Sequence, residues 1–568
     1  MNHFDKKTAL MFSVILASIA LVSACSPSDA PAGSSATNTP TGTSVKRGAL
    51  STTVYDRGLI AASEGTIENN RWTKWINEKG PADVSFVAVP RTESKQKLNT
   101  LFASGSAPDL IFEYEPTIKD PLYEQKQLMP LDDMISKYST EYKKLLEQTP
   151  ALKKSGMKAD GKIYEFGKLN EAMPQYIMVI RQDWLKKLNL QTPKTTEELY
   201  QVAKAFAEND PDGNGKKDTY GMNIGVNLYE IFGAGYDKIL TSYTLNNGQL
   251  SREWSNFKGY VEFAKRLFDE GIIDKDFITD KNGAKARQDF LNGKTGIYLV
   301  QANSYQLWTR LWITDYATLK TNSPGADITV IPYPKSPNGQ FIPGTANPVQ
   351  MTAVVNREAK DPKAVMEYID FLSKPEAGTT LISGLEGVHW NKGANGCPNA
   401  INLDKNKTEI GYLSLDFDMV YSVAQGGKCS YVASNFNVDK PEEKFAKDMF
   451  KTNMNQYYEL IFEQKGQYPA ITHAEHFPTV PKELLVDSQN AVTEILNILT
   501  KSIISGPSYT PDKAVTDAQA AWDKFSGKKI DEFYKKWYTD NKDNAFLPQD
   551  IFNIVKEQRK VQEEIFKQ

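Results

Sequence analysis

Asp210-Pro211-Asp212-Gly213-Asn214-Gly215-Lys216-Lys217-Asp218 sets oxygen-bearing side chains at the first, third, fifth and ninth positions of one loop, with glycine at the sixth. That spacing is how an EF-hand-type loop wraps a hard cation: alternate side chains turn inward and the glycine permits the sharp bend. The ligand set read from it is Asp210, Asp212, Asn214 and Asp218, with the backbone carbonyl of Lys216, and the expected ion is calcium. The twelfth position is Gly221 rather than a bidentate glutamate, so Asp218 must chelate with both oxygens. The plain alternative is a Gly/Asn/Asp surface turn without an ion. Because the loop lies between a helical pattern and a strand, its expected role is structural.

Enzyme chemistry finds less support. There is no G-x-S-x-G elbow and no H-E-x-x-H helix, and Gly293-Lys294-Thr295 looks like a P-loop tail but has Gln288 where that loop needs glycine. His473 and His476 share one short segment without a third metal ligand. A carbohydrate-active hydrolase is the rival class, since it too would gather carboxylates and aromatics in a cleft. Three cysteines occur; Cys397 and Cys429 are either free thiols or a disulfide that would stabilise the chain by roughly 3 to 4 kcal/mol.

The N-terminal stretch leads to the expectation that the protein works outside the cell. Lys6 and Lys7 form a basic region, and residues 9–24 are apolar except for Ser13, Ser18 and Ser23. A comfortable membrane span needs roughly 20 apolar residues, so the stretch reads as a signal peptide over 1–24. It ends in Val22-Ser23-Ala24-Cys25, which resembles the lipobox of bacterial lipoproteins; Cys25 would then be lipidated, with palmitate among the acyl groups, and hold the protein at the outer face of the cell membrane. Residues 25–50 are mostly Ser, Thr, Pro, Ala and Gly, a composition that cannot bury enough apolar surface to order itself, and read as a flexible tether. The remainder is ordinary globular sequence, 40% hydrophobic and 11% aromatic across the chain. A single core stops growing at about 250 to 300 residues, so more than one lobe is expected. The formal net charge of −3 argues against nucleic acid as a partner.

The candidate residues must be positioned by alternating strands and helices. A helix from Trp72 leads to the strand-like Val84-Ser85-Phe86-Val87-Ala88-Val89, ended by Pro90. Leu98, Leu101 and Phe102 mark the next helix, which turns through Gly105 into Asp109-Leu110-Ile111-Phe112. Strand, helix, strand implies a parallel sheet, and ligands of such sheets lie beyond the carboxyl ends of the strands, here at Glu113, Tyr114 and Glu115. Further strands are expected at Gly161-Lys162-Ile163-Tyr164-Glu165-Phe166, from Tyr176, from Thr295 and from Ile328, with a return to the first sheet at Gln350. Thr195 with Glu198 predicts a capping box ahead of Leu199, Val202, Ala203 and Phe206. Trp72, Trp75, Trp184, Trp522 and Trp537 are read as core. The stretch beyond Glu443 is mostly helical in pattern.

In this order Ser106-Ala107-Pro108-Asp109-Leu110-Ile111-Phe112, residues 181–190 (RQDWLKKLNL) with Pro193-Lys194-Thr195, the acidic loop at 210–221, and residues 363–387 ending in GLEG resemble the extracellular solute-binding proteins of ABC importers. The likeness is to family 1, which includes maltose and alginate-oligosaccharide binders. The resemblance implies an α/β, two-lobe fold of the periplasmic-binding-protein type II with a hinge and extra C-terminal helices. Lobe 1 would be 51–170 plus 335–440 and lobe 2 171–334, with 441–568 a helical region packed on both; the crossings would fall near 166–174 and 332–334. It implies a monomer without enzymatic activity that closes on an oligosaccharide or other polar solute and presents it to permease subunits. It also supports calcium, since alginate-type binders depart from the EF-hand at the same twelfth position. Sugar clefts mix aromatic rings with hydrogen-bonding side chains. By position, the resemblance puts Glu113 and Tyr114 on the first lobe, and Asn170, Glu171 and Gln175 at the crossing. Tyr229, Asn303, Tyr305 and Trp308 would come from the second lobe, and Trp390 from the loop after GLEG.

Overall fold

The alternating pattern condenses into two mixed sheets with helices on their faces, in a computed structural model that describes residues 47–225, 228–233 and 242–567. The expected signal peptide, Cys25 and most of the tether lie outside the described residues. In chain order the strands are β1 (Gly48–Asp56), β2 (Ala82–Pro90), β3 (Leu110–Phe112), β4 (Glu165–Leu169), β5 (Tyr176–Arg181), β6 (Tyr220–Met222), β7 (Ser242–Asn246), β8 (Gln249–Glu253), β9 (Thr295–Gln301), β10 (Ile328–Ile331), β11 (Val349–Val355), β12 (Trp390–Lys392) and β13 (Pro398–Ala400).

The first sheet runs β2-β1-β3-β11-β4. β1 is parallel to both β2 and β3, and β11 is antiparallel to β3 and β4. β11 returns to this sheet as expected and is buried along nearly its whole length, which suits a strand covered on both faces. The second sheet runs β10-β5-β9-β6, with β6 parallel to β9. The chain therefore passes between sheets at 170–175, after β4, and again at 332–348, after β10.

Two elements differ from the sequence reading. The first described strand begins at Gly48, inside the span read as tether, and β1 sits beside β2 in a nine-residue parallel pairing. The strand expected from Gly161 starts instead at Glu165, because Gly161 adopts a positive φ of 78° and turns the chain back. Ile163 there bridges only Met157.

The capping box forms as the sequence predicts: Thr195 Oγ1 accepts from the Glu198 amide, and Glu198 accepts from Lys194 and Thr195, ahead of the helix Thr196–Glu208. That helix buries Leu199, Val202, Ala203 and Phe206 against the second sheet, and Trp184 packs on Phe206 with ring centroids 5.3 Å apart. Trp72 and Trp522 are buried as well, while Trp75 and Trp537 are partly buried against core residues. Five long helices follow Pro441. Lys482–Ile504 and Pro511–Lys524 join the second core, whereas Pro441–Tyr458 and Pro548–Ile565 join a core that holds residues of both sheets.

Gly296 on β9 lies where a Cβ would come within 2.2 Å of the Phe206 ring, while Gly325 has no neighbour within 4 Å of that position. Gly296→Ala is expected to destabilise the fold by about 1–3 kcal/mol through overpacking. Gly325→Ala is the near-neutral control, and equal urea midpoints for the two variants would contradict the packing assignment.

Candidate ligand groove

The parallel strands β1, β2 and β3 all deliver their carboxyl ends to one edge of the first sheet. A groove of about 1000 Å³ opens there. Arg57, Arg91, Tyr114, Glu115 and Lys168 line it from the first sheet, and Asn303, Ser304 and Tyr305 line it from the loop after β9. Asn170, Glu171 and Gln175 come from one crossing, Thr345, Ala346 and Asn347 from the other, and a wall containing Asp418, Tyr421, Ser422 and Cys429 completes it.

Six of the expected ligand contacts come together in this groove: Tyr114, Asn170, Glu171, Gln175, Asn303 and Tyr305. Gln175 and Asn303 meet across it, the Asn303 amide donating to Gln175 Oε1 at 2.8 Å. Tyr305 packs edge-on against Phe436, with 5.2 Å between centroids.

The other four lie elsewhere, which corrects the positional reading. Glu113 is fully buried, and its Oε1 accepts from the Glu115 amide. Trp308 is fully buried, stacked on Trp312 at 6.1 Å and donating to the carbonyl of Ala302, so its ring offers no face to a ligand. Tyr229 packs on Tyr260 beside the second core. Trp390 begins β12 and donates to the carbonyl of Gly384. For the three aromatics, short elements turn the ring to a protein contact instead of the groove, and aromatic burial is the ordinary outcome.

Glu171 is the pivot of the crossing. Its Oε2 accepts from the Val432 amide at 2.7 Å, and its Oε1 accepts from the Gln562 amide of the last long helix. Gln558 of the same helix accepts from the Ala172 amide at 2.6 Å and donates to the Asn170 carbonyl at 2.9 Å. Burial raises the Glu171 carboxyl to about 7, with those two donors pulling the other way. Asp418 is likewise buried and raised to about 6, with Lys168 opposing the shift, and its Oδ1 has no hydrogen-bond partner.

Cys397 and Cys429 are joined in a disulfide whose Cα atoms are 5.3 Å apart, tying the segment before β13 to the groove wall. His473 and His476 do not form a metal pair: His473 Nε2 lies 2.8 Å from the Thr345 carbonyl and His476 Nε2 lies 3.0 Å from Asn347 Oδ1. Burial depresses the pKa of both rings.

The acidic loop stands apart from the groove. Asp210 adopts φ +47° and accepts from the backbone amides of Gly213, Asn214 and Gly215, folding the loop around its own carboxylate. The Asn214 amide donates to Asp212 Oδ2 at 2.8 Å and to Asp218 Oδ1 at 3.0 Å, so these three side chains face one another. Lys216 contributes only its backbone amide to these contacts, donating to Asn214 Oδ1. Among the described residues no three His, Cys, Asp or Glu side chains form a metal-ligand cluster.

The sequence reading missed Arg57, Arg91, Lys168 and the 415–430 wall. Arg91 was within reach, since it directly follows the strand ended by Pro90 and obeys the same carboxyl-end rule that pointed to Tyr114.

A family model described as bacterial extracellular solute-binding protein matches residues 68–379. The chain is 29% identical over 340 residues to the polygalacturonan/rhamnogalacturonan-binding protein YtcQ of Bacillus subtilis (strain 168), covering 57% of this chain and 64% of that one. It is 32% identical over 231 residues to the fructooligosaccharide ABC transporter substrate-binding protein FusA of Streptococcus pneumoniae serotype 4, covering 37% and 42%. Each match thus spans less than two thirds of the curated relative. A FusA structure described as an EF-hand mutant in complex with fructo-nystose aligns with TM-score 0.61 at 20% identity over 87% of this chain and all of that one. Alginate-binding protein AlgQ2, solved without calcium ion, aligns with TM-score 0.61 at 18% identity over 88% of this chain and all of that one. These structural likenesses are likenesses of fold.

Glu171 binds its proton more tightly folded than unfolded, so its stabilising contribution is complete below the ordinary carboxylate value and is lost as pH rises from about 4.5 to about 7. The urea midpoint of the wild type relative to Glu171→Gln should therefore fall across that window and level off above it. A pH-independent difference would refute the assignment.

Proposed function

The chain belongs to the bacterial extracellular solute-binding proteins, and from that premise we propose that it captures an oligosaccharide in the groove and hands it to an ABC importer. The observation that carries this reading is the composition of the groove. Amide, hydroxyl and aromatic side chains from both sheets and both crossings face one space of about 1000 Å³, ample for several sugar rings. Sugar C–H faces stack on rings such as Tyr114, and hydroxyls pair with groups such as Asn170, Gln175 and Asn303. The names of YtcQ and FusA, both carbohydrate binders, support it.

A ligand touching both sides of the groove favours the arrangement in which the sides approach, and this differential affinity drives closure. The importer then reads the closed shape. Cys25 carries the lipid that holds the protein beside the permease, and the Ser/Thr/Pro/Ala/Gly-rich stretch Ser26 to Ser44 supplies the reach.

Calcium at the acidic loop is part of the same reading. Asp210, Asp212, Asn214 and Asp218 with the Lys216 carbonyl fit a hard cation in donor type, and the Asn214 amide occupies the gap between two carboxylates, where a cation would be ligated after an amide flip. Bound there, the ion would join the helix Thr196–Glu208 to β6 and add stability without touching ligand.

Thermal shift against a panel of neutral and acidic oligosaccharides tests the main reading, with new reducing ends assayed in parallel. Saturation at 100 times Kd should add about 2.7 kcal/mol of stability without product. Stabilisation by none of the panel, or turnover, would overturn it. For the loop, EDTA should lower Tm and calcium restore it, with the response lost in Asp212→Asn; an unchanged Tm would make the loop an ordinary turn.

A further inference from the structure

β1 and β2 run parallel with Asp56 opposite Pro90, so the residues that follow, Arg57 and Arg91, leave the sheet side by side at its carboxyl edge. Both guanidinium groups sit against the same ring: their carbons lie 5.3 and 4.9 Å from the centroid of Tyr55, and Arg91 lies 6.0 Å from that of Tyr114. Tyr55 itself is buried and stacks on Tyr114. The pair is thus held by a rigid aromatic base and opens to the groove. Lys168, on β4 of the same sheet, lines the groove as a third cation.

Their donors are largely unused. Arg57 gives one hydrogen bond, from Nε to Asp416 at 2.6 Å, and Lys168 gives one, to the carbonyl of Asp418 at 3.0 Å. Arg91 makes no hydrogen bond among the described residues; its nearest carboxylate is the half-exposed Glu115 at 3.6 Å. A guanidinium carries five N–H donors and an ammonium three. Some of the acceptors nearby are taken: both oxygens of Glu171 take protein donors and Asp416 Oδ1 takes Arg57, while the carboxylates of Glu115 and Glu475 and Asp418 Oδ1 carry no hydrogen bond among the described residues and are fewer than the free donors of the three cations. Neutral sugar hydroxyls each bring a donor along with an acceptor and would leave this imbalance in place. A carboxylate brings acceptors alone, in a plane that matches the guanidinium fork.

We propose that Arg57 and Arg91 form a carboxylate-binding subsite, with Lys168 as a neighbouring cation, and that the ligand is an oligosaccharide containing uronic acid residues. The proposal rests on the oligosaccharide reading and adds its charge class. Arg91 is the stronger determinant because its fork is uncommitted, whereas Arg57 is already held by Asp416.

Calorimetric titration separates the two levels, using trimers of galacturonate, mannuronate and guluronate, their fully methyl-esterified counterparts, and kestose and maltotriose as neutral sugars. At least one uronate trimer should bind, and its ester should bind tenfold or more weaker. Arg91→Gln should cost the acid tenfold or more while leaving the ester unchanged, and raised salt should weaken the acid alone. Equal affinity for acid and ester, or an acid affinity unmoved by Arg91→Gln, would overturn the subsite. Binding of kestose or maltotriose with no uronate binding would also overturn it while leaving the oligosaccharide reading intact. Failure of every trimer would remove both.

Discussion

The groove depends on how three consecutive residues, Asn170, Glu171 and Ala172, are held where the chain leaves the first sheet. Backbone and carboxyl groups buried at such a point must find partners or cost free energy. Here the partners come from far along the chain. Gln558 serves the backbone of Asn170 and Ala172, Gln562 and Val432 serve the Glu171 carboxyl, and both glutamines are almost wholly buried. One helix, Pro548–Ile565, thereby splints the crossing whose side chains line the binding surface.

That arrangement explains why the C-terminal region belongs to the binding body. The helix Pro441–Tyr458 packs under β10 of the second sheet, and the last helix reaches it through Phe566 on Phe450. On the other side Lys154 pairs with Asp550, tying the last helix to the first sheet's helices. The two sheets thus have separate hydrogen-bond networks but share one apolar cluster along this seam.

The groove chemistry follows from strand direction. Parallel strands bring their carboxyl ends to one edge, so residues far apart in sequence become neighbours there, and their charges are answered from the 415–430 wall and by Tyr55. Burial raises the Glu171 carboxyl to about 7 and that of Asp418 to about 6, and the cations at the edge of the first sheet keep more donors than the protein itself consumes.

Periodicity and capping chemistry were enough to read the strands β2, β3, β5, β9, β10 and β11, the Thr195 cap and the helical C-terminal region, because each is a local property of consecutive side chains. The family likeness rested on the same kind of local signal, and so did six of the groove residues, which sit at strand ends or crossings. β1 was hidden because its first residues, Gly48-Ala49-Leu50, fall in the span read as tether and carry no strand-like alternation, and pairing with β2 makes them a strand. Arg57, Lys168 and Asp418 became site residues through that pairing and through a distant wall, while Trp308 and Trp390 were turned inward by contacts that no spacing encodes. The amino-acid order determined most of the segments that form strands and helices and that the class would be α/β. Only the tertiary structure decided which side chains face the groove, because that choice depends on contacts between segments hundreds of residues apart.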